Sequence, residues 1–232
     1  MVKIWIFAGG GEAEVRGLIP FLKKHFKNCS FDRKTPIIRK PGPRPGIKPA
    51  GYGKTGKSLI VEIKNRLEDS LSAGDRCDKI LIIDDLDCRE ESVWREKFIH
   101  AADSVKDSAP IEKFVGFAKP ELEAWIIADW NNSLAKHPDF QGRHEGMRHW
   151  LSTEKHIPFD CPENFGIYDK SRDTCDQKLS DAIIEASERE KPRYSKAQHT
   201  PILLQQTDPQ IVKSKCPLFS QLFDFITNSC KN

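Results

Sequence analysis

The chain has 232 residues, 38% of them hydrophobic and 31% charged, with a formal net charge of +3. That length allows one elaborated domain or two small ones sharing an interface, and it buries a core without needing disulfides or a metal to fold. No apolar run approaches the roughly 18 residues of a membrane span, so no membrane partner is expected, and so small a net charge does not by itself select a polyanionic one.

Met1 to Phe7 is a short apolar run that leads straight into Gly9-Gly10-Gly11. With no long apolar stretch and no small-residue cleavage site, it reads as a first strand and not as an export signal. A helical pattern follows from Glu12 to about His25, with Val15, Leu18, Ile19 and Leu22 at helical spacing. Pro36 to Arg39 is read as a second short strand. Pro41 to Gly53 is too rich in Pro and Gly for a helix or a central strand. From Arg33 to Lys57 the chain carries Lys and Arg but no acid. A basic loop of that kind suits a phosphate backbone, with Arg39, Lys40, Lys54 and Lys57 as the contacting residues, or is simply a solvated loop.

Helical spacing resumes from Ser58 to Leu71. Lys79 to Asp85 is the clearest strand, and its continuous apolar run marks a strand covered on both faces, as in a parallel sheet. Glu91 to Val105 reads as a helix and Phe114 to Ala118 as a strand. Pro120 to Asp129 reads as a helix with Pro in its first turn, and Trp125, Ile126 and Ile127 in it are core. Strands alternating with helices give an α/β fold. Beyond residue 130 the pattern changes: His137 to Asp176 is loop-rich, and helices are predicted near Gln177–Glu190, His199–Thr207 and Pro217–Asn228. The expected organisation is therefore an α/β core over residues 1–130 and a helical, loop-rich extension over 131–232 packed on it. The seven cysteines are scattered and form no Cys-x-x-Cys pair, which favours reduced thiols in a cytosol.

Ligands of open α/β sheets collect at the carboxyl ends of the strands. Three acidic features fall there: Glu12 and Glu14 after the first strand, Asp85 and Asp87 at the end of the buried one, and Glu121 and Glu123 after the last. Mg²⁺ or Mn²⁺ takes such oxygen ligands, and Asp85 and Asp87 point the same way if the segment stays extended. Structural alternatives stand beside each: helix capping for Glu12 and Glu14, a strand-end role for Asp84, and complementing a helix dipole for Glu121. His144, His149 and His199 read as surface or packing residues, and Cys88 as a small strand-end residue.

The order of the Gly-rich turn with Glu-x-Glu-Val-Arg, then Ile-Leu-Ile-Ile-Asp-Asp-Leu-Asp-Cys, then Pro-Glu-Leu-Glu-Ala-Trp-Ile-Ile-Ala-Asp resembles the domain-of-unknown-function family 4276. The likeness continues through Tyr194-Ser195-Lys196, Pro201-Ile202-Leu203 and Ser214 to Phe219. The resemblance implies a Toprim-like fold with a mostly parallel sheet, and metal-dependent cleavage of phosphodiester bonds in DNA or RNA. It places metal ligands at Asp85, Asp87 and Glu123, with Glu12 or Glu14 as third ligand or general base. It also implies an ATPase partner and a role in defence against phage or plasmids. The family's first strand usually ends in Glu-Gly, whereas this chain has Ala8-Gly9-Gly10; the glutamate has slid to Glu12, or one ligand is lost.

Two other functions compete. Residues 51–58 match the Gly-x4-Gly-Lys-Ser string of a P-loop NTPase, but no apolar strand feeds it. A non-catalytic module that binds nucleic acid or regulates an ATPase would fit the missing Glu-Gly. The sequence leaves a homo-oligomer open.

Overall fold

The structure is a computed structural model that describes residues 1–36, 54–188 and 191–231, residues 12–15 by their backbone alone. Its centre is a four-stranded sheet in the order β2-β1-β3-β4, formed by β1 (Val2–Ala8), β2 (Cys29–Thr35), β3 (Lys79–Asp85) and β4 (Glu112–Ala118). Every neighbouring pair is parallel, as the unbroken apolar run of β3 predicts. The chain is thus α/β, consistent with a Toprim-like arrangement. Helices α1 (Glu12–His25), α2 (Gly56–Ser72) and α3 (Glu91–Asp103) connect the strands.

Period-two alternation sorts the strand residues between two cores. Ile4, Ile6, Leu81 and Ile83 face one side, where they meet Leu18 and Phe21 of α1 and the helices after β4. Trp5, Phe7, Ile80 and Ile82 face the other, against Leu59 and Ile63 of α2 and Trp94 and Phe98 of α3. The first core continues without a break into α4 (Glu123–Ala128), α5 (His144–Thr153), α6 (Leu179–Ser187), α7 (Lys196–Gln206), α8 (Pro209–Lys215) and α9 (Pro217–Ser229). Trp125, Ile126 and Ile127 are wholly buried in it. Among the described residues, no helix is long and apolar enough to cross a membrane.

Four expectations change. The second strand of the sheet is Cys29–Thr35, to which the sequence assigned no element; β2 alternates Cys29 and Phe31, which are buried, with half-exposed Ser30 and Asp32, the pattern of an edge strand with one covered face. Residues 37–39 lie outside the described residues. The helix expected from Pro120 begins at Glu123; the Pro120 carbonyl accepts from the Asp87 N–H at 2.9 Å instead of opening a helical turn. The region read as loop-rich holds α5 and a small antiparallel hairpin of β5 (Tyr168–Asp169) and β6 (Thr174–Cys175). Lastly, four cysteines expected as free thiols are paired, Cys29 with Cys230 and Cys88 with Cys175. Separations of 201 and 87 residues hid those pairs; folding brings their Cα atoms to 5.6 and 5.1 Å. Cys77, Cys161 and Cys216 remain free.

Candidate functional site

Strand order reverses between β1 and β3, and the crevice at such a switch is where open α/β sheets bind ligands. There the Gly9 N–H donates to the Ile83 carbonyl at 2.7 Å. The next two residues of β3 are acids, and alternation sends them to opposite faces.

Asp85 lies on the side of the C-terminal helices. Its Oδ1 accepts from the Leu122 N–H at 3.1 Å. Beside it stand Glu121, 4% exposed, and Glu123, 0% exposed. The Glu121 carboxylate accepts from the N–H and hydroxyl of Ser180, in the first turn of α6, at 2.6 and 3.1 Å. Glu123 Oε1 accepts from Tyr194 Oη at 3.2 Å and Thr200 Oγ1 at 2.8 Å. Burial and the Glu123 charge push the Tyr194 hydroxyl well above its ordinary pKa, so it stays a neutral donor. All three carboxylates turn an oxygen toward the Lys196 ammonium, which lies 3.1 Å from Glu121 Oε2, 3.3 Å from Glu123 Oε2 and 3.9 Å from Asp85 Oδ2. Buried carboxylates stay charged where a cation is paired with them, and here a lysine supplies it.

Lys196 is the first residue of α7, and the residues around it are held firmly. The Ser195 N–H donates to His199 Nδ1 at 2.7 Å, which leaves Nε2 as the protonated nitrogen facing Asp139 Oδ2 at 3.1 Å. His199 is buried against Phe140 and His137, in keeping with a packing histidine.

Asp84 lies on the other face. Its Oδ2 accepts from the Gly56 N–H at the start of α2, at 2.8 Å. Its Oδ1 is buried without a hydrogen bond among the described residues, and it packs so closely on Gly9 that an added Cβ there would lie 1.9 Å from it. Burial pushes this carboxyl up to about 7, against the opposing effect of the Gly56 N–H, and Asp87 nearby pushes the same way as burial. Asp84 is therefore a structural link between β3, the β1 turn and α2.

Asp87 does not continue the strand. Its φ of 51° ends the extended run, and its partners differ from those of Asp85: Thr174 Oγ1 at 3.2 Å, Arg89 Nη1 at 3.1 Å and Lys178 Nζ at 3.7 Å. Arg89 reaches on to Asp173 at 3.2 Å, so Asp87 ties β3 to the hairpin that the Cys88–Cys175 bond also holds.

The structure thus brings Asp85, Glu121 and Glu123 together and gives Asp87 a separate set of contacts. Glu121, read either as part of the acidic constellation or as complementing a helix dipole, anchors α6 and joins the acidic cluster. Glu12 and Glu14 begin α1 beyond β1, but their side chains lie outside the described residues. Arg39 and Lys40 lie outside them as well. Lys54 is paired with Glu62 at 3.7 Å, and Lys57 is exposed on the first turn of α2. The Gly56 N–H and the Ser58 hydroxyl, which a P-loop would turn toward a nucleotide and its metal, are engaged by Asp84 and by the Thr55 carbonyl at 2.8 Å.

Sequence reasoning gave no role to Lys196, Tyr194, Thr200 or Ser180. The Tyr194-Ser195-Lys196 string of the resemblance pointed to two of them, Tyr194 and Lys196. As a donor set for a hard cation the three carboxylates are chemically suited. No group of three or more His, Cys, Asp or Glu among the described residues is arranged to hold a metal, and the Lys196 ammonium lies among these three carboxylates.

The family model described as Domain of unknown function (DUF4276) matches residues 11–227, and the chain belongs to that family. No curated protein and no solved structure matches it.

Proposed function

We propose that this DUF4276 member is a metal-dependent phosphodiesterase acting on DNA or RNA. The observation that carries the reading is the convergence of Asp85, Glu121 and Glu123 on one cation at the carboxyl edge of the parallel sheet, beside the switch between β1 and β3. With Lys196 withdrawn, those carboxylates would hold Mg²⁺ or Mn²⁺, and Glu12 or Glu14 is the proposed further ligand or base. Such an ion supplies Lewis acidity toward a phosphate oxygen and a water of lowered pKa.

The protein's own groups account for the rest. Tyr194 and Thr200 hold Glu123 in one orientation, and Ser180 does the same for Glu121. Lys57, exposed on the first turn of α2, is the described residue proposed to contact a phosphate backbone. A cytoplasmic location, an ATPase partner and a role in defence against phage or plasmids are proposed with this reading.

A second reading has one observation in its favour: the site already contains its cation. A non-catalytic module that binds nucleic acid or regulates an ATPase needs no metal, and the Ala8-Gly9-Gly10 end of β1 fits it.

A cleavage assay separates the two. Plasmid, linear DNA and RNA are incubated with Mg²⁺ or Mn²⁺, with wild type and with Asp85→Asn, which keeps an acceptor for the Leu122 N–H. Nicking by wild type that falls at least a hundredfold in the variant supports the phosphodiesterase. Nucleic-acid binding without cleavage, equal in both proteins, supports the module.

A further inference from the structure

The feature of the acidic cluster that the proposed function leaves unexplained is its occupant. We infer that the Lys196 ammonium is the resident cation of this site and that a divalent ion takes the same place in exchange for it, so that the first residue of α7 gates metal loading. This rests on the metal reading above.

Three observations support it. The oxygens that a cation would use are those that Lys196 now occupies: Glu121 Oε2 and Glu123 Oε2 lie within 3.3 Å of its Nζ, and Asp85 Oδ2 within 3.9 Å. Metal–oxygen bonds of about 2.0–2.1 Å for Mg²⁺ leave no room for an ammonium at the same point. Second, these carboxylates stay charged at little cost only beside a cation. The side chains of Glu123, Glu121 and Asp85 are 0%, 5% and 13% exposed, and charged carboxylates so far from water are costly unless paired. An empty intermediate is disfavoured, which makes exchange of one cation for another the natural route.

Third, Lys196 is built to leave. It stands at the N-terminus of α7, the positive end of the helix, where a cation is disfavoured by the helix itself. The carboxylates of Glu121, Glu123 and Asp85 offset that effect. Its side chain is 30% exposed, so the four-carbon stem can swing the charge into water. The backbone need not follow, because the bond from Ser195 N–H to His199 and the contact of His199 with Asp139 fix the turn independently of the ammonium.

Mn²⁺ binding to the full chain, measured by calorimetry without substrate, tests this in wild type, Lys196→Gln and Lys196→Met. Glutamine keeps a neutral donor for the carboxylates, so one variant remains folded even if methionine fails. The expected result is that removing the ammonium tightens Mn²⁺ binding at least tenfold, and that adding Glu123→Gln to Lys196→Gln abolishes the gain. Equal affinity in wild type and Lys196→Gln, or weaker binding in the variant, overturns the exchange while leaving the metal reading in place. No Mn²⁺ binding by any of the proteins overturns the metal reading itself and the exchange with it.

Discussion

Asp84→Asn tests how β3 is joined to α2. The wild-type carboxyl is raised from 3.8 to about 7, chiefly by burial. A group with a raised folded pKa keeps its proton in the folded state after the unfolded chain has released it. Stability is therefore lost as pH climbs from the unfolded value to the folded one, and is level above it. Roughly three units at 1.36 kcal/mol each make the loss about 4 kcal/mol over the full window, of which about 3 kcal/mol falls between pH 5 and pH 8. Asparagine does not titrate, and its oxygen still accepts from the Gly56 N–H. Its amide faces Gly9 in place of the unpartnered Oδ1, at a cost of about 1–3 kcal/mol. The variant should then match wild type near pH 5 and exceed it by about 2 kcal/mol at pH 8, some 4–8 °C in Tm for a chain of this length. Urea or thermal unfolding of both proteins at the two pH values measures this. Glu163, also raised to about 7, contributes to the wild-type slope but cancels in the difference. A difference between the proteins that is the same at pH 5 and pH 8 would refute the reasoning.

Two further expectations concern packing and thiols. At Gly17 in α1 an added Cβ would lie 2.8 Å from the Pro201 Cα and 3.1 Å from its carbonyl oxygen. Gly17→Ala should therefore cost about 1–3 kcal/mol in urea unfolding by forcing α1 and α7 apart, despite alanine's better helix propensity; an unchanged or raised midpoint would show that the helices have room to spare. Alkylation in denaturant without reductant should label Cys77, Cys161 and Cys216 alone, and all seven cysteines only after reduction. Five or more labelled thiols in freshly isolated protein would mean that at least one pair is open.

The parallel sheet was legible because burial on both faces leaves a plain mark, the unbroken apolar run of Lys79 to Asp85. The start and end of α1 followed from helical spacing bounded by Gly9-Gly10-Gly11 and a basic last turn. The edge strand β2 was not legible, since an edge strand with one covered face carries half-polar residues that look like a loop. The site was legible in part. Its acids stood out because they follow strands, and Glu123 with Asp85 do belong to one cluster. Three features were hidden. Asp84 and Asp85 are neighbours in sequence but face opposite sides of the sheet. Asp87 leaves the strand through a positive φ that no nearby glycine announces. Lys196, more than 70 residues from Glu121 and Glu123, comes to them only when α7 packs on α1 and α4.

The sequence by itself determined the α/β class, the buried central strand and the acidic character of its carboxyl end, because these depend on periodicity and on neighbours along the chain. Tertiary structure alone decided which acids share a site, which cation balances them and which cysteines pair. Each of those depends on segments far apart in the chain, whose meeting is fixed by helix packing across the sheet and leaves no local pattern.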